Sequence, residues 1–462
     1  LTQVLGCEPA EDDILEGLSI GEVGVCYEAL MASMDAGARR IEGQYFTPDD
    51  AAQFMAHQST DFPEGVWLDP CCGVGNLAWY LAARQPDPDV FVSNYLTLID
   101  KDSVALSTAV ALIGAEFLSC SNAQGLVDLD RRAHCRDFLS RGKLPAHDYV
   151  IMNPPYSRAE ARSDLRSGHT RDLFAFFMER VASTSSGFIS VTPASYLSAP
   201  KFRVLREVIA SETSGGSVYV FDNVPDTLFR GYKFGSSNTS KTNFVRAAVT
   251  VCRPDATSWE ITPILRWRSA SRARMFDRCA GLLAPLNVGP AGEWAKLTPG
   301  MGGLWKRLMS AEQTLGDLLV PVETEFQLTV ATTPRYYISA TYRTLDRRSK
   351  AILHFANARD RDRAAVVLNS SLPYMWWRAL DGGVTLPRRV LRSLPVPRFE
   401  YAPGLIDLLQ RDEAESLVTK LNAGRVNENV KRPRALVSQL DDLVLPDAPR
   451  LDLLYADDMF PL

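Results

Sequence analysis

Short apolar runs that stop at a polar side chain recur through the first half of the chain. Val66-Trp67-Leu68 stops at Asp69, Asn94 to Ile99 stops at Asp100, and Tyr149-Val150-Ile151-Met152 stops at Asn153. Runs this short, bounded by turn residues, predict buried strands. Between them the apolar spacing predicts helices over Leu77 to Arg84, from about Ser103, and over Leu173 to Val181. A third short strand is expected before Asp137, and Gly187 to Thr192 reads as a further one. Strands alternating with helices predict an α/β fold, a Rossmann-like doubly wound and mostly parallel sheet. Ligands of such sheets lie beyond the carboxyl ends of the strands, where Asp69, Asp100 and Asn153 fall.

The flanks read differently. Ser19-Ile20-Gly21-Glu22 opens an amphipathic stretch through Tyr27, Leu30, Met31 and Met34, so residues 1–42 are expected to form an N-terminal helical segment. Thr47-Pro48-Asp49-Asp50 reads as an N-cap followed by proline at the first helical position, starting a helix through Met55. From Pro263 the alternation fades and prolines, arginines and aromatics become more frequent. The expected division is therefore an α/β domain over residues 43–262 and a C-terminal α+β and helical region over residues 263–462.

Composition narrows the class. With 46% hydrophobic and 23% charged residues the chain is an ordinary globular protein, and no apolar run approaches the roughly 18–20 residues of a membrane span. Its eight cysteines show no CxxC spacing, which predicts reduced thiols in a cytoplasmic protein and no metal site. The net charge of −5 argues against indiscriminate coating of nucleic acid. From Arg335 to Arg398, however, there are 13 Arg/Lys against 4 Asp and no Glu, which suits either a DNA-handling face or a solvated helical surface.

The chemistry concentrates in Asn153-Pro154-Pro155-Tyr156. An asparagine before two prolines offers a side-chain oxygen and a peptide carbonyl on a stiff backbone, with no competing N–H from either proline. Two acceptors beside a flat aromatic ring suit the exocyclic NH2 of a planar heterocycle. Upstream, Asp69-Pro70-Cys71-Cys72-Gly73-Val74-Gly75-Asn76 is a glycine-bearing strand-to-helix turn. It departs from G-x-G-x-x-G, with Ala78 in the third glycine's place. An acid at the turn suits an ammonium group better than a pyrophosphate, and Asp100 falls where such folds bind a ribose diol. A positively charged adenosine ligand without phosphates points to S-adenosylmethionine rather than NAD. Taken alone, the Gly-x-Gly is more often structural, and Cys71 and Cys72 read as packing or backbone contacts.

These residues resemble the N6-adenine-specific DNA methyltransferases of restriction-modification systems, with cofactor motifs first, the catalytic motif next and target recognition last. The resemblance is specific from about residue 40 to 200 and looser from Leu368 through Trp376-Trp377 to Pro397. It implies a class I S-adenosylmethionine-dependent fold with a C-terminal target-recognition domain. Gln44-Tyr45-Phe46-Thr47-Pro48 is similar to the family's upstream cofactor motif, and Asp69 to Asn76, Asp100 and the pair Asp137-Phe138 to its remaining cofactor residues. Asn153, Pro154, Pro155 and Tyr156 match its catalytic motif at every position. Arg171-Asp172-Leu173-Phe174 and Gly187 to Pro193 resemble the helix and strand that follow. The resemblance implies double-stranded DNA as substrate, an everted adenine stacked on Tyr156, and a cognate restriction endonuclease or specificity subunit as partner; the chain itself shows no nuclease motif.

Candidate DNA contacts downstream are Arg335, Tyr336, Arg347, Arg348, Arg388 and Arg389. Trp376-Trp377, beside Leu372 and Leu380, reads as core sooner than as a DNA contact. The polar cluster Asn238, Thr239, Ser240, Lys241 and Asn243 suits a closing loop and an ordinary surface loop equally. Two other readings stay open: a protein-glutamine or RNA methyltransferase using the same tetrapeptide, and a cofactor-binding fold serving as a recognition or assembly subunit.

Overall fold

The computed structural model describes residues 17–34, 47–229, 233–234, 237–238, 246–334, 336–422, 424–449 and 451–461. These divide into two compact units: one holds the chain up to Ile261 with Leu265–Leu283 and the last residues, the other Thr262–Ile264 and Ala284–Met459.

The first unit is built on parallel strands that follow the predicted runs. Strands β1 (Trp67–Asp69), β2 (Leu96–Asp100), β3 (Ala133–Cys135), β4 (Tyr149–Met152), β5 (Gly187–Pro193), β6 (Gly216–Phe221) and β7 (Ala247–Cys252) lie in the order β6-β7-β5-β4-β1-β2-β3. All neighbours from β5 to β3 are parallel, while β7 runs antiparallel to both β5 and β6. Residues of β1 and β4 are buried throughout, which is why those runs lack polar alternation. In register, Asp69 sits beside Leu98 and Leu68 beside Val150. The ends of β1, β2 and β4 therefore deliver Asp69, Asp100 and Asn153 to one edge of the sheet.

Helices α1 (Ile20–Met34), α2 (Asp49–His57), α3 (Asn76–Ala83), α4 (Ser103–Phe117), α5 (Leu173–Thr184) and α6 (Arg272–Arg278) belong to this unit. The start of α1 is a capping box: the Glu22 N–H donates to Ser19 Oγ, and the Ser19 N–H to Glu22 Oε2. Asp102 caps α4, accepting from the Val104 and Ala105 N–H groups. Two expectations need correction. Asn94 to Ile99 is not one strand, because Asp87 caps a helix over Pro88–Asn94 and β2 begins at Leu96. Thr47 is not the cap of α2: Pro48 holds that position without a side-chain cap bond. Of the expected N-terminal helical segment, residues 1–16 and 35–42 lie outside the described residues.

The first unit also continues past the expected end at residue 262. Phe276 of α6 packs against Phe54 of α2 at 5.2 Å and Phe221 of β6 at 6.3 Å between ring centroids. Arg272 binds Asp50. These contacts carry the chain back onto the sheet unit before it leaves.

The second unit is α+β. A three-stranded antiparallel sheet places Gln327–Ala331 between Ala340–Thr341 and Lys350–His354. One apolar cluster joins it to helices Ala358–Asn369 and Leu372–Leu380. Trp376 and Trp377 are each 1% exposed, and Trp376 stacks on Trp305 at 4.6 Å, so the pair is core. An antiparallel hairpin pairs Leu417–Asn422 with Arg425–Val430.

Candidate active site

A cavity of about 440 Å³ opens at the strand ends of the first unit. Asp69, Pro70, Cys71, Gly73 and Asn76 from the β1–α3 turn line it, together with Asp100, Asp137, Phe138, Thr47 and Asn153. Most of the cofactor candidates thus meet on one cavity. Pro48 and Gly75 are not in the lining; they stand at the N-caps of α2 and α3. Tyr45 and Phe46 lie outside the described residues.

Backbone geometry explains the two glycines. Gly73 has φ +53° with open space where a Cβ would stand, so the turn can pass close to a ligand. Gly75 has φ +93°, and a Cβ there would meet Ala109 Cβ of α4 at 3.0 Å. One glycine serves the cavity and the other the helix packing. Asp100 ties the turn together: its Oδ2 accepts from the Gly73 N–H at 2.8 Å and its Oδ1 from the Asp102 N–H at 2.9 Å.

Electrostatics give the cavity a sign. Asp69 is 1% exposed and forms no ion pair among the described residues. Burial, with the nearby Asp100 charge adding to it, pushes its carboxyl up to about 8. Burial likewise raises Asp100, with Asp102 contributing. A cationic ligand would draw these acids back towards their ionised forms, with Lys101, Arg136 and Arg158 as the cations of the same lining. The thiols of Cys71 and Cys72 are driven well above their ordinary range, first by burial and then by Asp69 and Asp100, so neither is a ready nucleophile.

Phe138 adds apolar lining; its ring lies 5.0 Å from that of Phe177, and the Arg180 guanidinium stands over it at 5.2 Å. Phe177, Leu173, Gly24, Tyr27, Asp102 and Arg158 also line the cavity, and none was singled out as a site residue from the sequence. Tyr27 donates its hydroxyl proton to Asp102 Oδ2 at 2.5 Å, which fixes α1 as a wall.

The tetrapeptide leaves β4 at the cavity rim. Asn153 and Pro155 line the cavity, whereas Pro154 is buried beneath and Tyr156 lies off the cavity wall. Asn153 Nδ2 donates to Thr47 Oγ1 at 2.9 Å. The Tyr156 hydroxyl donates to the Val191 carbonyl of β5 at 3.0 Å, and its ring meets Phe174 and Phe229 edge-on. The following loop is anchored by Glu179, which accepts from the Arg166 and Ser167 N–H groups.

The downstream candidates separate. Arg347 is 9% exposed and holds Thr333 Oγ1 and the Ser349 and Glu428 carbonyls. Arg389 bridges Glu293 and Asp381. Both are engaged in the architecture of the second unit. Arg348 and Arg388 are exposed, Tyr336 is half-buried, and Arg335 lies outside the described residues. Of the polar cluster after Phe234, only Asn238 is described, paired through its backbone with Lys233.

The strand order, with its antiparallel β7, is that of a Rossmann-like doubly wound α/β fold, and the cavity opens at the ends of β1 and β2. Residues 19–85, which include α1 and the glycine turn, match the N-6 DNA Methylase family model. A curated relative, the type II methyltransferase M.VspI of Vibrio sp. (strain 343), is 26% identical over 197 residues, covering 38% of this chain and 45% of that protein. The chain thus matches under half the length of that relative. Among solved structures, the DrdV–DNA complex superposes with a TM-score of 0.42 at 14% identity, over 59% of this chain and 33% of that one. A modification subunit of a putative type I restriction enzyme from Vibrio vulnificus gives 0.39 at 12% identity, over 60% and 63%.

The cavity fits S-adenosylmethionine on its own chemistry. Asp69 and Asp100 line the cavity as acids that an ammonium or a sulfonium would suit, and Phe138 and Phe177 add apolar surface to the same lining. No helix among the described residues is long and apolar enough to cross a membrane.

Proposed function

We propose that this protein is a site-specific DNA methyltransferase that methylates N6 of an everted adenine in duplex DNA, acting in a restriction-modification or related defence system of a prokaryotic cytoplasm. The observation that carries the reading is the meeting of Asn153 with Asp69 and Asp100 on one cavity. The matched family and the M.VspI relative support it.

Asp69, Asp100, Asp137 and Phe138 would hold S-adenosylmethionine. That cofactor, when bound, supplies a methyl group activated by its attachment to a sulfonium. Adenine N6 is a poor nucleophile because its lone pair is delocalised into the ring. Acceptance of its two N–H bonds by Asn153 Oδ1 and the Pro154 carbonyl favours a pyramidal nitrogen and aims its lone pair. The contribution is orientation and electrostatics, with no covalent enzyme intermediate. The target atom lies inside the duplex, so the base must swing out. Tyr156, braced by Val191 and flanked by Phe174 and Phe229, supplies an aromatic surface for it. The second unit would supply target recognition, with Arg348, Arg388 and Tyr336 as candidate contacts.

The deciding experiment offers the purified chain a labelled methyl donor with duplex DNA, RNA or protein as acceptor, followed by sequencing that detects modified bases. Methylated adenine within a defined DNA motif is the expected outcome. Transfer to RNA or a glutamine amide alone would overturn the DNA assignment.

A further inference from the structure

Thr47 and Asn153 are 106 residues apart in the chain, yet Asn153 Nδ2 donates to Thr47 Oγ1 at 2.9 Å. The resemblance that marks Thr47 as a cofactor residue gives no reason for this bond, and helix capping does not use the hydroxyl, since α2 begins behind Pro48 without a side-chain cap. We propose that Thr47 is a positioning residue for methyl transfer: its hydroxyl holds the amide of Asn153 so that the amide oxygen faces the reacting amine. The inference rests on the function proposed above.

The asparagine amide turns about a terminal torsion with broad preferences, so its plane is not set by its own rotamer. Its two ends have nearly the same shape and opposite roles, one donating and one accepting. An amide turned the wrong way would set N–H groups against the N–H groups of the substrate. The bond to Thr47 occupies the nitrogen end and places Oδ1 on the opposite edge of the amide plane.

The holder is itself stiff. Thr47 is β-branched and 4% exposed, and as the residue before a proline it is confined to extended backbone. Asn153 also precedes a proline. Two restricted X-Pro pairs from distant parts of the chain thus meet through one hydrogen bond on the cavity wall.

The test uses the full chain and the acceptor that the wild type modifies, in single-turnover methylation with labelled donor. Thr47→Val removes the hydroxyl while keeping the shape; the rate should fall roughly ten- to a hundredfold. Cofactor affinity by calorimetry and the melting midpoint should stay near wild type, and Thr47→Ser should restore most of the rate. A wild-type rate in Thr47→Val would overturn the proposal. So would a loss of rate that tracks lost cofactor affinity, which marks a cofactor contact, or lost folding, which marks a structural one. Failure of Thr47→Ser to recover would show that shape, not the hydroxyl, matters. If the wild type methylates RNA or protein instead of DNA, the DNA reading falls and the same comparison is run on that acceptor. Wild-type protein that transfers no methyl to any acceptor would overturn both.

Discussion

Arg272 grips Asp50 in a two-pronged ion pair, Nε to Oδ2 at 2.5 Å and Nη2 to Oδ1 at 2.8 Å, although 222 residues separate them. The same guanidinium donates to the carbonyls of Thr227 and Leu228. A single buried side chain thus joins the start of α2, the loop after β6 and α6.

Replacing Arg272 with leucine leaves two carbonyls and a carboxylate without their donor. A loss on the order of 2–4 kcal/mol is expected. Because α2 starts two residues after Thr47, methylation should fall along with the melting midpoint. Denaturant unfolding checks the stability, and an unchanged midpoint would show that the clamp carries little.

The raised carboxyl of Asp69 makes cofactor binding depend on pH. A cationic ligand needs the ionised form, so affinity should weaken by up to about tenfold per unit as pH falls below 8 and level off above it. The stability effect has the opposite sense. A folded-state value above the unfolded one, which is about 4, stabilises the ligand-free protein at low pH, and that contribution is lost as pH rises towards 8. Asp69→Asn should flatten the binding profile and raise the ligand-free melting midpoint above pH 8. Calorimetric titrations from pH 6 to 9 follow the first, and a slope that survives the substitution would assign the effect to another group.

Asn153→Ala should lower the methylation rate by at least about a hundredfold while cofactor affinity holds. Asp100→Ala should do the reverse, weakening cofactor first, since it loosens the Gly73 turn. Rapid-quench kinetics beside equilibrium binding separate the two. Near-normal turnover in Asn153→Ala would remove the amine grip.

The arginines of the second unit should divide by what they touch. Arg348→Ala and Arg388→Ala should each weaken DNA binding and lower the salt slope by about one if they meet phosphates. Arg389→Ala should instead cost roughly 2 kcal/mol of stability, because Glu293 is buried and loses its cation. DNA titrations at several salt concentrations and thermal melts report the two effects.

The sheet was legible because its strands announce themselves locally: an apolar run, then Asp69, Asp100 or Asn153. The cavity's other walls were not. Tyr27 and Phe177 lie on helices where an aromatic residue reads as packing, and only tertiary structure turns them towards the site. Thr47-Pro48-Asp49-Asp50 reads as a cap because the local pattern is right, yet Asn153 claims the hydroxyl from a distance. A charge count likewise cannot tell Arg389, engaged by Glu293 and Asp381, from exposed Arg388. The return of the chain to the first unit after residue 262 rests on Arg272 and Phe276, whose long-range contacts no periodicity records.

The tyrosine of α1 that reaches Asp102 has a practical meaning for anyone trimming this protein. A fragment begun at residue 43 would keep every motif, from the glycine turn to the tetrapeptide, and still lack the panel that Gly24 and Tyr27 supply. Such a fragment would open the cavity to solvent on that side, so the piece that keeps the site's walls is longer than its signature motifs suggest.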